Sequence, residues 1–275
     1  MYIDWFKLSR LPFRLRPDPD FLYLCGGISV VFEGLHAAIA TGHGMVSLCA
    51  DEGVGKTTLL HAITAKIGPS MIVARVQQSD LSGEELLESL REQFGLPPSQ
   101  PASPPETLAQ LKRFIAAEQR QRRFVVILVD AAHHLSLPTL RELLNLARSH
   151  PDPLLVLAGE PALAQQLEAL ANEGAAPPLT ARLRVPRLTL SETEGYIRHR
   201  LAIAGSGART LFDPDTFAEI QRYTGGTPQL INVLCDNAMV IAAGHNSPRV
   251  SVIEIRDALR ELKWVEYVAA AASGR

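Results

Sequence analysis

Short apolar runs alternate with amphipathic segments through the first two thirds of the chain. Mostly apolar stretches predict buried strands at 45–49, 71–76, 124–130 and 154–158. Helical spacing of the apolar positions predicts the intervening helices, at 28–39, from 56 onward, at 85–95, at 107–121 and at 138–148. Strands that alternate with helices in this way form a parallel sheet, so the pattern predicts an α/β fold class.

The pattern changes near Pro186, beyond which no buried strand run occurs and helix-start signals recur. Serine followed by glutamate three positions later, or a capping residue before proline, predicts where these helices begin. The pairs are Ser191 with Glu194, Asp213 with Pro214, Thr227 with Pro228, and Ser251 with Glu254. We therefore predict an α/β core over residues 1–186 and a small all-helical domain over residues 187–275.

The first 25 residues are punctuated by prolines and rich in aromatic side chains. Because proline interrupts a helix, this segment is expected to be extended. Two compatible interpretations remain open. The aromatic side chains could dock the segment as a strap on the surface of the core, or they could help to form a pocket for a nucleotide base.

The segment MVSLCADEGVGKTTLL, residues 45–60, has the order strand, glycine-containing loop and helix. Glycines let successive backbone N–H groups turn towards phosphate oxygens, and the N-terminus of the following helix favours the same anion. In such loops the lysine reaches the β- and γ-phosphates, and the next hydroxyl binds Mg²⁺. The candidate nucleotide-binding residues are Asp51, Glu52, Gly53, Val54, Gly55, Lys56, Thr57 and Thr58.

Asp130 gives a second, independent match to nucleotide chemistry. It directly follows the apolar run FVVILV, and ligands of parallel α/β sheets bind at the carboxyl ends of the strands. An aspartate at this place supports Mg²⁺ in phosphate-loop proteins that bind nucleoside triphosphates. Thr57 and Asp130 are therefore the predicted metal-binding residues.

Charge and cysteine content give limited information about the cellular compartment and the partners of the protein. The formal net charge of −2 gives no argument for a nucleic-acid partner. The three cysteines show neither metal-ligand spacing nor a disulfide framework, which is typical of a reducing compartment. No segment has the features of a signal peptide or approaches the roughly 20 apolar residues of a membrane span. From these features we expect a cytoplasmic protein.

Further segments, taken in order, resemble one family. They are PFRLRPDPDFLYL, the GVGKTT loop, LSGEELLESLREQFGL, ILVDAAHHL, VLAGEPAL, SETEGYIRHRLAIAG and GGTPQLIN. This order resembles the AAA+ ATPases of the general secretion pathway protein A type, across almost the whole chain. The AAA+ ATPases of transposition are more distant relatives of the same core and fit the opening segment less well.

The resemblance implies a phosphate-loop NTPase core with a small helical lid, and ATP with Mg²⁺ bound at the boundary of the two. It also implies neighbouring subunits in a ring, and a secretion or envelope-assembly partner at the inner membrane. Arg182 matches the position of an arginine finger, a group that reaches a neighbour's nucleotide. Gln229 matches the lid position that contacts the nucleotide phosphates.

The chain departs from that family at four places near the expected site. Ala50 replaces the first glycine of the loop, which would cost about 1 kcal/mol or more if the backbone there required a positive φ. Ala131 replaces the glutamate that polarises the attacking water, a loss of roughly 10²–10⁴ in rate. Gln229 replaces an arginine, and Glu160 replaces a glutamine that would sense the γ-phosphate.

These departures predict a protein that binds ATP with Mg²⁺ and hydrolyses it slowly or not at all. Glu160 is the candidate to position water in place of the missing glutamate, with His133 and His134 also near strand ends. A nucleotide-gated scaffold that needs no turnover is one alternative function. The other is a DNA-associated regulator of the transposition type, which the near-neutral charge disfavours.

Overall fold

A computed structural model describes residues 2–77, 81–98, 103–148, 152–174, 176 and 179–264. The strands are β1 (Gly44–Cys49), β2 (Met71–Val76), β3 (Phe124–Val129), β4 (Leu154–Gly159) and β5 (Leu179–Arg184). The helices are α1 (Tyr2–Trp5), α2 (Gly26–Thr41), α3 (Lys56–Ala65), α4 (Gly83–Gln93), α5 (Pro104–Arg120), α6 (Leu137–Ala147), α7 (Pro161–Asn172), α8 (Leu190–Ile203), α9 (Thr216–Thr224), α10 (Pro228–Gly244) and α11 (Val252–Glu261). The alanine-rich C-terminal tail of the sequence lies outside the described residues.

The five strands form one sheet in the order β2-β3-β4-β1-β5, and every neighbouring pair is parallel. This confirms the predicted α/β class, and the structure contains the four strands that the apolar runs predicted. The fifth strand, β5, was not predicted. Its residues alternate between half-buried and exposed because one of its two faces is open to solvent, so it shows no continuous apolar run.

The main core lies between the sheet and the helices α4, α5 and α6. Leucine and isoleucine side chains from these helices are fully buried against β2, β3 and β4. Ser82 and Glu85 form the predicted capping box at the start of α4. No helix in the described part of the chain is long and apolar enough to cross a membrane.

The chain divides into two compact units. The core unit is Gly27–Glu52 with Lys56–Val185 and contains the sheet. The helical unit is Met1–Gly26, Gly53–Gly55 and Pro186–Arg275. The opening segment thus groups with the C-terminal helices, whereas the sequence analysis had placed it with the core.

Two arginines explain why the opening segment belongs to the helical unit. Arg200 donates to the carbonyl oxygens of Pro12 and Arg14, and Arg209 donates to those of Phe6 and Lys7. The aromatic side chains that suggested a strap are buried among these helices, at Phe6, Phe13 and Phe21. The segment is therefore a strap, but on the helical unit. Its proposed part in a base pocket stays a prediction.

Two of the four predicted helix starts are confirmed, at Thr227–Pro228 and at Ser251 with Glu254. The prediction for α8 was wrong, because the capping box is Thr189 with Glu192, two residues earlier. The prediction for α9 was also wrong. That helix begins at Thr216, and Asp213 instead accepts hydrogen bonds through its carbonyl oxygen from Thr216.

Candidate functional site

The start of α3 and the end of β3 meet at a short hydrogen bond. The Thr57 hydroxyl donates to Oδ2 of Asp130 across 2.5 Å. The other carboxylate oxygen of Asp130 accepts the backbone N–H of Ala131 at 2.9 Å, which fixes the orientation of the carboxylate. The two residues that the sequence predicted as metal ligands thus lie together in the core unit.

The Lys56 ammonium lies folded against the backbone of the loop that precedes it. It donates to the carbonyl oxygens of Ala50 and Asp51, at 2.8 and 2.9 Å. Burial lowers the pKa of Lys56, and four surrounding carboxylates oppose that shift. In order of effect they belong to Glu160, Asp130, Asp51 and Glu52. The lysine therefore lies among four carboxylates, and a phosphate ligand would have to replace its two carbonyl acceptors.

Two glycines of the loop adopt backbone conformations that other residues rarely take. Gly53 has a φ of +73° and Gly55 a φ of +109°. Within the helical unit, the carbonyl oxygen of Gly53 accepts the backbone N–H of Gln229 at 3.1 Å. A β-carbon at Gly53 would lie 2.8 Å from the Gln229 side chain. Gln229, a predicted nucleotide contact, therefore packs directly on Gly53.

Ala50 takes the place of the first glycine of the loop without backbone strain. It is not among the non-glycine residues with positive φ, and its N–H donates to the carbonyl oxygen of Gly159 at 3.1 Å. Its methyl group is buried. The conditional cost that the sequence analysis attached to this alanine therefore does not arise.

Ala131 does adopt the left-handed conformation, with φ 52° and ψ 34°. For a residue with a β-carbon this conformation costs roughly 1–2 kcal/mol. It begins the short 3₁₀ turn Ala132–His134, and its methyl group offers no proton acceptor. The residue that directly follows Asp130 thus combines a left-handed backbone with a side chain that has no carboxylate.

His133 and Glu160 face each other across the ends of β3 and β4. His133 Nε2 lies 3.4 Å from Glu160 Oε1, with the imidazole largely buried and the carboxylate 39% exposed. Burial lowers the pKa of His133, and the neighbouring His134 adds to that effect. Both residues are expected near strand ends from the sequence, but nothing in their spacing along the chain predicts this contact.

Arg182 lies on the edge strand β5, opposite Ser47 of β1. Its guanidinium donates to Glu168 of α7 at 2.7 Å, and both side chains are more than half exposed. An exposed ion pair of this kind holds its partners weakly. The structure therefore leaves Arg182 accessible on the surface of the core unit, while its role as an arginine finger stays a prediction.

The remaining predicted residues differ in exposure. Glu52 is exposed, Val54 is buried, and Asp51 and Thr58 lie between these extremes. Among the described residues, no group of three or more histidine, cysteine, aspartate or glutamate side chains could hold a metal ion. A site built from Thr57 and Asp130 would instead need oxygen ligands from a bound phosphate or from water. Hydroxyl and carboxylate oxygens are donors that Mg²⁺ prefers.

Comparison with known proteins finds similarity to one protein family and to one characterised relative. Residues 39–167 match the family described as AAA domain. General secretion pathway protein A of Aeromonas hydrophila is 30% identical over 254 residues, which is 91% of this chain and 46% of that protein. The chain thus spans about half the length of the relative it matches.

Solved structures with low sequence identity share the fold. Drosophila ORC bound to DNA superposes with a TM-score of 0.71 at 16% identity, over 94% of this chain and 66% of that one. The Aeropyrum pernix ORC2 protein gives a TM-score of 0.65 at 16% identity, over 92% of this chain and 71% of that one. These likenesses support the arrangement of strands and helices and carry no argument about ligands.

Proposed function

Because the chain belongs to the AAA+ proteins of the general secretion pathway protein A type, we propose that it binds ATP with Mg²⁺ at residues 51–58 and Asp130 and hydrolyses it slowly. The observation that carries this proposal is the 2.5 Å contact between Thr57 and Asp130, beside the Lys56 ammonium. This contact supports the proposal because phosphate-loop proteins hold Mg²⁺ with a hydroxyl of the loop and support it with an aspartate at the end of another strand.

The side chains and backbone groups present suit both parts of the ligand. The two glycines with positive φ leave backbone N–H groups free to turn towards phosphate oxygens, and the N-terminus of α3 adds its partial positive charge. Bound Mg²⁺ would polarise the phosphate oxygens. Thr57 and Asp130 would hold that ion, and Lys56 would exchange its carbonyl acceptors for phosphate oxygens. Gln229 is kept as a further proposed nucleotide contact.

The slow turnover is proposed because of the residues expected near the attacking water, at positions 131 and 160. Ala131 has no carboxylate to accept the proton of that water, and loss of a general base costs roughly 10²–10⁴ in rate. Glu160 is the proposed substitute, because it has the largest effect of the four carboxylates that act on Lys56 and is partly exposed. We propose a turnover below about 1 per second, the low end of ordinary enzymes.

Titration with a fluorescent ATP analogue, with Mg²⁺ and then with the metal chelated, tests the proposal. The expected result is a micromolar or weaker dissociation constant that rises when Mg²⁺ is removed. Lys56→Ala should abolish binding, whereas the matched control Lys66→Ala, an exposed lysine just beyond α3, should not. Binding that is indifferent to both Lys56 and Mg²⁺ would overturn the proposal.

A scaffold whose assembly is controlled by nucleotide is the second candidate, and the absence of a carboxylate side chain at Ala131 favours it. In that case the chain forms a homo-oligomer or ring when ATP binds, and engages a secretion or envelope-assembly partner without needing hydrolysis. Light scattering separates the two functions. Equal assembly with ATP and with a non-hydrolysable analogue supports the scaffold, and disassembly that follows phosphate release supports a working ATPase.

A further inference from the structure

Two polar atoms at the end of β3 are buried without a hydrogen-bonding partner. Both imidazole nitrogens of His133 lack one among the described residues, and neither is reached by solvent. Buried polar atoms are nearly always hydrogen-bonded, so an exception calls for a physical explanation. The nearest recorded oxygen is Oε1 of Glu160, 3.4 Å from Nε2. A movement of about half an ångström would convert this approach into a charge-assisted hydrogen bond of normal length.

The side chains of His133 and Glu160 differ in their exposure to solvent. The His133 side chain is only 10% exposed, whereas that of Glu160 is 39% exposed. Glu160 is the N-cap residue that directly precedes α7, but its side chain makes no capping hydrogen bond to that helix. Water can therefore contact the glutamate but not the histidine nitrogens behind it.

We propose that His133 is a positioning residue that donates Nε2–H to Glu160 and so holds its carboxylate towards the water that attacks the terminal phosphate. The inference rests on the proposed function. In the step, the water oxygen bonds to the γ-phosphorus and the water proton moves to Glu160. The bond from that phosphorus to the bridging oxygen breaks, and its electron pair leaves with ADP. Glu160 then releases the proton to solvent.

The charges around the imidazole keep it in the form that this role needs. Burial, His134 and Lys56 lower the pKa of His133, while Glu160 and Asp130 act in the opposite direction. The net shift is downward from 6.5, so the ring is neutral at pH 7. A neutral ring orients the carboxylate without forming an ion pair, and an ion pair would make the carboxylate a weaker base. Below the histidine pKa the ring becomes charged, and the rate should fall.

Single-turnover hydrolysis and nucleotide affinity, measured on the same variants of the full chain, test the role. His133→Phe removes the donor and should lower the rate of phosphate release by about 10²-fold, the lower range for general-base catalysis, without changing affinity. His133→Gln keeps an N–H donor and should restore most of that rate while removing the part of the fall in acid that follows the pKa of the histidine. His36→Gln, an exposed histidine on α2, is the matched control and should change neither quantity.

The pKa of His133 can be measured without nucleotide, and it tests the contact with Glu160. Because the Glu160 carboxylate raises the pKa of His133, Glu160→Gln should lower that pKa further, as followed by NMR of the ring nitrogens. Glu33→Gln, an exposed glutamate on α2, should leave it unchanged.

The outcomes separate the inference from the proposed function. An unchanged His133 pKa in Glu160→Gln, or equal phosphate release from His133→Phe and the wild type, would overturn the inference alone. Nucleotide binding without any detectable release by the wild type would do the same. Absence of nucleotide binding would overturn the proposed function and the inference with it.

Discussion

Thr57 donates its hydroxyl proton to Asp130 across 2.5 Å, and this bond joins the first turn of α3 to the residue that follows β3. Because both oxygens would be ligands of Mg²⁺, removal of either one should weaken metal binding. Thr57→Val removes one of the two proposed metal ligands and should weaken Mg²⁺-dependent nucleotide binding by roughly tenfold or more, which corresponds to about 1.4 kcal/mol. Thr57→Ser should retain it. Calorimetric titration with and without Mg²⁺ measures the difference, and equal affinities for both variants would contradict the assignment.

A carboxylate restored at Ala131 should accelerate hydrolysis. Ala131→Glu places a proton acceptor directly after Asp130, on a backbone that already has the left-handed shape. The expected gain in the rate of phosphate release is on the order of 10²-fold, with little change in nucleotide affinity. Ala131→Gln is the isosteric control that cannot accept the proton in the same way. Equal rates for both variants would mean that another step limits turnover.

A β-carbon at Gly53 should damage the loop. Gly53→Ala places a methyl group 2.8 Å from the Gln229 side chain, on a backbone with a φ of +73°. Strain of this kind costs about 1 kcal/mol or more, and the loop should lose nucleotide affinity as well. Gly68→Ala is the matched control, because its added carbon would meet nothing within 4 Å. Thermal unfolding and nucleotide titration of the two variants give the comparison.

Asp236 should make the helical unit less stable as the pH rises. It accepts a hydrogen bond from the Tyr2 hydroxyl, and burial raises its pKa above the ordinary value. A carboxyl whose folded pKa is raised contributes stability that is complete below its unfolded pKa and is lost as the pH rises through the folded value. Asp236→Asn should therefore be more stable than the wild type at pH 7.

The advantage of Asp236→Asn should shrink towards acid pH, where the aspartate is also neutral. Chemical unfolding at several pH values measures it. The control is Asp257→Asn, at a more exposed site on α11 where an ion pair with Arg260 is the recorded contact. A stability difference between Asp236→Asn and the wild type that stays constant with pH would exclude titration of Asp236 as the cause.

Arg182 should affect the rate of ATP hydrolysis only when the protein forms an oligomer. Its ion pair with Glu168 is exposed, so Arg182→Ala should change the free energy of unfolding by less than about 1 kcal/mol. If the guanidinium reaches a neighbour's nucleotide, the same variant should lower phosphate release by roughly 10³-fold or more in the oligomer. Mixing it with Lys56→Ala chains should restore turnover at mixed interfaces. Identical rates for the variant and the wild type would assign Arg182 to the surface alone.

The apolar pattern predicted those parts of the fold that are buried on both faces. The strands β1, β3 and β4 lie inside the sheet and are buried along nearly their whole length. The strand β2 lies at the edge opposite β5 and was predicted because it is apolar apart from Arg75. The edge strand β5 carries exposed Arg182 and Arg184. Because its residues alternate between half-buried and exposed, it has no continuous apolar run and was not predicted. Helix starts were less certain, because Thr189 and Ser191 lie close together and each precedes a glutamate by three positions.

The candidate site was predictable where its residues are contiguous or end a strand. The loop at 51–58 and Asp130 follow from local order, and the structure places Thr57 beside Asp130. The contact between His133 and Glu160 depends on the order of strands in the sheet, in which β3 and β4 are neighbours. No local pattern encodes that order, so the pairing could be found only in three dimensions.

Arg200 and Arg209 hydrogen-bond to the main chain of the opening segment, and these bonds limit where the chain can be truncated. A version that starts at α2 would leave two guanidinium groups without the carbonyl oxygens of Pro12, Arg14, Phe6 and Lys7. Arg200 is only 7% exposed while the segment is in place, so the truncation would also uncover the guanidinium and the apolar surface that buries Phe6, Phe13 and Phe21. For anyone dissecting this protein by truncation, its first two dozen residues are therefore an inseparable piece of the C-terminal helices, although nearly two hundred positions separate the two along the chain.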